Sequence, residues 1–292
     1  MFRGTYTAIV TPFRDGAIDE AALTALVEWQ IESGITGIVP VGTTGESPTL
    51  DQAEHTRVIK LVVDAARGRC KVIGGTGSNS TEEAISLTQD AESVGADAAL
   101  LVTPYYNKPT QEGLFRHYQA IASRTKLPII LYSIPGRCGI EIAVDTAVRL
   151  ARECPNIVSI KEAGGSVERV SQLRAALPEA FTILSGDDSL TLPFMSVGAE
   201  GVISVASNII PREMVRLVDA FAAGRIAEAR ELHRRYYPLF RDLFIETNPI
   251  PIKTAVSLAG RIAPEFRLPL CEMAPANEAR LLATLRNLNL VK

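Results

Sequence analysis

Short runs of β-branched and apolar residues alternate along this chain with longer stretches in which apolar positions recur every three or four residues. The runs at 7–10, 37–41, 71–74, 98–103, 128–132, 157–161, 181–184 and 201–205 predict strands. The amphipathic stretches at 20–33, 51–66, 82–94, 112–124, 144–153 and 167–177 predict helices between them. Thr49 with Gln52, and Ser80 with Glu83, have the spacing of capping boxes, while Gly34 and Gly95 stand where helices should end. Strands this uniformly apolar are buried on both faces, which implies a parallel sheet covered by helices. Eight strand–helix units favour an α/β fold of the closed (β/α)8, or TIM, barrel type over an open doubly wound sheet.

After Gly224 the pattern changes. The stretches 226–245, 252–258 and 277–288 read as helices with no strand between them, so 1–224 is expected to form the barrel and 225–292 a C-terminal helical extension packed on it. Composition narrows the partners. With 30 basic and 33 acidic side chains the net charge is −3, which offers no electrostatic footprint for nucleic acid or an anionic membrane. No apolar stretch approaches the ~20 residues that span a bilayer, and the N-terminus lacks a signal-peptide h-region. Cys70, Cys138, Cys154 and Cys271 form no C-x-x-C pair, so neither a zinc site nor a redox motif is signalled, and a reducing, cytoplasmic setting is expected.

A barrel of this kind carries its chemistry at the C-terminal ends of its strands and in the loops that follow. Polar residues collect there repeatedly. Gly42-Thr43-Thr44-Gly45-Glu46 follows the second strand, Pro104-Tyr105-Tyr106-Asn107 the fourth and Pro135-Gly136-Arg137 the fifth, which itself ends on Tyr132. Lys161 ends the sixth. Strand alternation puts Ile157, Ser159 and Lys161 on one face and Val158 and Ile160 on the other. An apolar strand gives an ammonium group no inexpensive place, so such a lysine either snorkels to solvent or is a nucleophile with a lowered pKa. A neutral amine that meets a ketone forms a Schiff base.

The other candidates each have an ordinary structural reading. Gly42–Glu46 is either a glycine-rich turn or a cradle of N–H groups and hydroxyls suited to a carboxylate or phosphate. Tyr105, Tyr106 and Tyr132 are either packing rings or, beside a Schiff-base lysine, parts of a proton relay. Arg137 is either a surface charge or a bidentate clamp for a substrate carboxylate. Asp187-Asp188 reads as turn and cap chemistry, since no histidine or third carboxylate accompanies the pair, and His117 and His233 read as surface residues of helices. Gly74-Gly75-Thr76-Gly77 completes neither a dinucleotide fingerprint nor a P-loop.

In their order and spacing these pieces resemble the pyruvate-dependent Schiff-base lyases and aldolases. The resemblance runs from Ala8-Ile9-Val10-Thr11-Pro12-Phe13 through the GTTGE segment, Thr103–Asn107, Leu131-Tyr132 and Ile160-Lys161-Glu162 to Asn248-Pro249-Ile250-Pro251. Within that family the double threonine Thr43-Thr44 and Arg137 are similar to the dihydrodipicolinate synthases rather than to the sialic acid lyases; Cys138 stands where the synthases usually have threonine. The resemblance implies that Lys161 forms a Schiff base with pyruvate, that Thr43 and Thr44 hold the pyruvate carboxylate, and that Tyr132, Thr43 and Tyr106 relay protons. Arg137 would bind the carboxylate of L-aspartate 4-semialdehyde, and Gly186 and Ile203 would also line the substrate site. The product would be 4-hydroxy-tetrahydrodipicolinate, at the entry to the diaminopimelate route to lysine. No cofactor is implied beyond the covalent Schiff base, and no metal.

The resemblance further implies that the residue matching Tyr106 comes from a neighbouring subunit, in a homotetramer built as a dimer of dimers. It also implies lysine as a feedback inhibitor, bound by Ser47, Pro48, Gln52, His55, Asn79, Glu83 and Tyr105, of which Pro48 and Gln52 depart from one well-known pattern. Two other readings are open. One is a related lyase acting on 2-keto-3-deoxy sugar acids, which leaves Arg137 without a clear task. The other is a non-catalytic barrel that binds a small carboxylate, which leaves the desolvated amine of Lys161 without one.

Overall fold

The computed structural model describes residues 2–292. Eight parallel strands close into a barrel: β1 (Gly4–Ala8), β2 (Gly37–Val39), β3 (Lys71–Gly75), β4 (Ala98–Val102), β5 (Ile129–Ser133), β6 (Ile157–Glu162), β7 (Thr182–Ser185) and β8 (Gly201–Ser204). Each pairs with its neighbours in the chain. The circle is completed by β8 lying beside β1, with Gly4 opposite Gly201 and Thr7 opposite Ser204.

A helix follows each strand: α1 (Glu20–Glu32), α2 (Gln52–Ala66), α3 (Thr81–Ser93), α4 (Gln111–Ala122), α5 (Val144–Glu153), α6 (Val167–Ala176), α7 (Thr191–Met195) and α8 (Pro211–Ala222). Three more, α9 (Ile226–Asp242), α10 (Ile250–Leu258) and α11 (Pro275–Asn287), follow without an intervening strand. Of these, α9 packs against α8, α11 packs against both α9 and α10, and α10 also reaches the turn after β8. Among the described residues no helix is long and apolar enough to cross a membrane.

Strand alternation divides the core in two. Outward residues such as Ile38, Val72, Ile129 and Ile160 meet Leu23, Val27, Val58, Ile59, Leu114 and Ile121 of the helices. Inward residues, among them Tyr6, Val39, Ile73, Leu100, Ile130, Leu184 and Ile203, fill the barrel itself. Each fully buried aliphatic side chain stabilises the fold by about 1.5–3 kcal/mol relative to exposure. The interior is therefore packed, and a cavity opens above it at the C-terminal ends of the strands.

The local details depart from the sequence-based expectations in instructive places. β2 stops at Val39 because Pro40 follows and Val41 is left-handed, with φ 50°. A hairpin of Phe13–Arg14 with Ala17–Ile18 precedes α1 and was not predicted. The cap of α2 is Asp51, whose side chain accepts from the Glu54 N–H while Glu54 bonds back to the Asp51 N–H. Thr49 and Gln52 therefore do not form the expected box: Thr49 donates to the Glu46 carbonyl, and Gln52 bridges to Ser86 and Asp90 on α3. Ser80 caps α3, but Glu83 is turned to the Ser78 hydroxyl. In β6 the pairing with β5 shifts, so that Ile129 faces Ile157 and Ile130 faces Ser159. This bulge corrects the expected alternation. Ile157 belongs to the outer core layer and Val158 packs on the inner cluster, whereas Lys161 still points into the barrel mouth.

Candidate active site

Lys161 stands opposite Tyr132 of β5 and Leu184 of β7, at the C-terminal end of the barrel. It is 6% exposed, and its ammonium lies 4.0 Å from the centre of the Tyr132 ring. Burial pushes its pKa down to about 7; the Asp188 carboxylate opposes that shift and the Arg137 guanidinium adds to it. The side chain reaches a cavity of about 310 Å³ that Thr43, Thr44, Tyr132, Arg137 and Gly186 also line. Gly186 is required there by space, because a Cβ at that position would lie 3.0 Å from Lys161 Cε and 2.7 Å from the Ala163 Cβ.

The Thr43–Thr44 segment is a tight turn. Gly45 N–H and Ser47 N–H donate to the Gly42 carbonyl at 3.1 and 3.3 Å, and Glu46 N–H donates to the Thr43 carbonyl at 3.2 Å. Val41 and Glu46 at its two ends are left-handed, with φ 50° and 55°. Non-glycine residues hold that conformation at about 1–3 kcal/mol each, so surrounding contacts must fix it. They come from far along the chain. Glu46 forms a buried ion pair with Lys253 of α10, and its other oxygen accepts from the Arg267 N–H at 3.3 Å. Thr11 donates to the Gly45 carbonyl at 2.7 Å, and Asn248 Nδ2 donates to Thr44 Oγ1 at 3.1 Å.

Tyr132 is buried, which holds its phenol well above the ordinary value; the Arg137 guanidinium and a hydrogen bond with Thr43 partly offset the rise. Arg137 sits in the short helix Pro135–Cys138 at the cavity mouth, where its Nη2 donates to the Asn248 carbonyl at 3.0 Å. The next residue, Cys138, is buried against the same cavity. Two predicted site residues lie outside the lining. Ile203 packs beneath it in the inner cluster, and Tyr106 is 91% exposed on the surface of the single chain, in a left-handed conformation.

Asn248 and Phe244, which complete the cavity wall, and Lys253, which anchors the threonine turn, were not singled out as functional from sequence. Asn248 was visible only as part of the Asn248–Pro251 string. His117 is buried rather than on the surface, bonded to the Thr81 hydroxyl and pushed down to about 4 by desolvation. His233 is half-buried beside the Tyr237 and Phe240 rings. Asp187 does the turn chemistry expected of it, accepting from Ser189 and Leu190 N–H groups.

The positions implied for an inhibitor occupy adjoining elements. Ser47, Pro48 and Tyr105 lie at the rim of the same cavity. Asn79 donates to the Tyr105 carbonyl at 3.1 Å and accepts from Asn107 through its own carbonyl at 2.9 Å. His55 of α2 is buried, with Nε2 2.9 Å from the Gly75 carbonyl and Nδ1 unpartnered. Glu83 stands near the start of α3.

Residues 1–288 match the dihydrodipicolinate synthetase family. Over 292 residues the chain is 53% identical to the 4-hydroxy-tetrahydrodipicolinate synthase of Thermodesulfovibrio yellowstonii, with 100% of both chains covered. Its structure superimposes on that of the 4-hydroxy-tetrahydrodipicolinate synthase from Methylacidiphilum fumariolicum with a TM-score of 0.98 at 58% identity, covering 99% of this chain and 96% of that one. It is similar also to the dihydrodipicolinate synthase of Cyanidioschyzon merolae solved with lysine bound, with TM-score 0.97 and 43% identity over 99% of each chain.

Proposed function

The chain belongs to the dihydrodipicolinate synthetase family and is a lyase of that kind, and we propose that Lys161 carries its reaction. The reaction joins pyruvate to L-aspartate 4-semialdehyde, giving 4-hydroxy-tetrahydrodipicolinate and water. One observation supports the assignment of Lys161 above all: a buried amine held near pH 7 at the floor of a cavity bordered by hydroxyls and a guanidinium.

The neutral amine attacks the ketone carbon of pyruvate, and loss of water leaves an iminium. Thr44 and the turn around it hold the pyruvate carboxylate. The iminium draws the electron pair of a methyl C–H bond into an enamine, and the released proton passes to the Tyr132 oxygen as that phenol hands its own proton on to Thr43. The enamine carbon then attacks the aldehyde carbon of the semialdehyde, whose oxygen takes a proton and becomes the hydroxyl. Finally the semialdehyde's amine attacks the iminium carbon, closes the ring and expels Lys161. Every stage moves a proton, and the Thr43 side chain beside the Tyr132 phenol in the same cavity gives it a path. Arg137, fixed by the Asn248 carbonyl, receives the semialdehyde carboxylate. A sugar-acid lyase would leave that guanidinium without a clear task. The deciding experiment compares product formation from pyruvate with the semialdehyde against pyruvate with N-acetylmannosamine; turnover only with the sugar would overturn the assignment.

Tyr106 is the third relay member, supplied by a neighbouring copy in a homotetramer arranged as a dimer of dimers. Its exposure on the single chain leaves it free to enter a second site. Sedimentation should show assembled enzyme, and an active monomer would refute the shared relay. Lysine is the proposed inhibitor, at Ser47, His55, Asn79, Glu83 and Tyr105, supported by the lysine-bound relative. Isothermal titration should detect millimolar or tighter lysine binding that Glu83→Ala abolishes; no binding by the parent enzyme would refute it. We place the enzyme in the cytoplasm, because its four cysteines are all free thiols.

A further inference from the structure

Asp188 lies two residues beyond Gly186, in the turn after β7, and is 1% exposed. Its Oδ2 accepts from the Val205 and Ala206 N–H groups at 3.0 and 2.8 Å, and the nearby Ser204 side chain also favours the carboxylate. Its Oδ1 is buried with no hydrogen-bond partner. The surroundings close on Lys161. Gly186 packs directly on the lysine's arm, and Val205, whose N–H Asp188 holds, lines the lysine's cavity.

A cap for two N–H groups does not need this arrangement. An asparagine oxygen would accept from both without burying a charge, and burying a charge costs kilocalories. The charge itself therefore calls for a reason, and the chemistry beside it supplies one. Taking Lys161 as the Schiff-base lysine, on which this inference rests, the reaction makes a buried cation each time the iminium forms. A dry cavity disfavours that cation as strongly as it disfavours the lysine's ammonium. We propose that Asp188 is a positioning residue whose negative charge stands behind Lys161 as the counter-charge of the iminium. It takes no proton and makes no bond to substrate.

The neighbouring charges fit this role. Arg137, across the cavity, is the cation that works against the iminium, and the Tyr132 ring is neutral with its face to the lysine. Asp187, on the same turn, is the other acid acting on Asp188. Burial raises the Asp188 carboxyl to about 6, against which the Ser204 hydroxyl and the two N–H groups pull it down. The carboxylate is thus largely ionised where the Lys161 amine becomes neutral and is lost below that range.

The test is Asp188→Asn, which keeps an acceptor for the Val205 and Ala206 N–H groups and removes the charge. The pH midpoint of borohydride trapping with pyruvate should fall, by about one pH unit if the lost charge is worth ~1.4 kcal/mol to the ammonium, because the negative charge that holds the Lys161 ammonium up is gone. Turnover should fall about tenfold or more, with trapping still on Lys161. Ser204→Ala, which weakens the hold on the carboxylate, should move the acid limb of kcat to higher pH. A trapping midpoint unmoved by Asp188→Asn would show that Asp188 only braces the turn and would overturn the proposal. Should that variant not fold, an acid limb unmoved in Ser204→Ala overturns it instead. No trapping at Lys161 in the parent enzyme overturns the Schiff-base assignment as well, so the two failures are distinguishable.

Discussion

Removing the ammonium of Lys253 should destabilise the protein and loosen its pyruvate site together. Lys253 and Glu46 are 1% and 0% exposed, and the lysine also donates to the Glu265 carbonyl at 2.8 Å. Its ammonium lies 4.4 and 5.1 Å from the centres of the Phe13 and Phe266 rings. Lys253→Met keeps a side chain of similar length against those rings but leaves the Glu46 carboxylate buried without its cation. Breaking a buried pair in this way costs about 3–5 kcal/mol, a large share of the ~5–15 kcal/mol that holds a typical protein folded. Replacing both partners, with Glu46→Gln and Lys253→Met, removes the unpaired charge and should return stability to within ~1 kcal/mol of the parent. Urea unfolding of the parent, the two single variants and the double variant completes a cycle that isolates the pair. Because Glu46 ends the turn that presents Thr43 and Thr44, KM for pyruvate should rise several-fold in Lys253→Met and recover in the double variant. A loss below ~1 kcal/mol in Lys253→Met, or additive losses in the double variant, would show that the Lys253–Glu46 pair does not hold the turn.

Pyruvate capture should follow the ionisation of Lys161. With its pKa lowered to about 7, the amine is protonated below that pH and free above it. The trapping rate should therefore rise about tenfold per pH unit below 7 and level off above ~8; a rate still climbing at pH 9 would mean an ordinary lysine near 10.4. Arg137→Ala should raise KM for the semialdehyde tenfold or more, as expected for losing a charged hydrogen-bonded clamp, while pyruvate trapping at a pH above ~8, where the Lys161 amine is neutral, stays within about twofold. Equal losses for both substrates in steady-state kinetics would count against that role.

The barrel could be read from the sequence because its signal is repeated: eight apolar runs, each bracketed by an amphipathic stretch, leave few other closed folds. Lys161, Thr43, Thr44, Tyr132 and Arg137 could be read because each stands at or just past a strand end, where the topology gathers them into one cavity. What escaped depends on contacts distant in sequence or on register. Nothing local to Lys253 announces that it pairs with Glu46, and Asn248 reaches both Thr44 and Arg137 only after the helical extension folds back. The bulge in β6 moved Ile157 and Val158 between faces, because alternation presumes an unbroken ladder. Asp51 displaced Thr49 as the cap of α2 since both satisfy the same pattern, and the turn after Glu46 decides between them. His117 was misplaced to the surface because its polarity concealed a hydrogen bond to Thr81.

On the proposed mechanism Lys161 is the amine that joins pyruvate to the enzyme. Borohydride reduction in the presence of pyruvate, followed by peptide mass spectrometry, tests it directly. One carboxyethyl group per chain, left by reduction of the pyruvate imine, is expected on the peptide carrying Lys161, and none on the Lys161→Ala variant. Pyruvate trapped on another lysine, or retained by the variant, would contradict it.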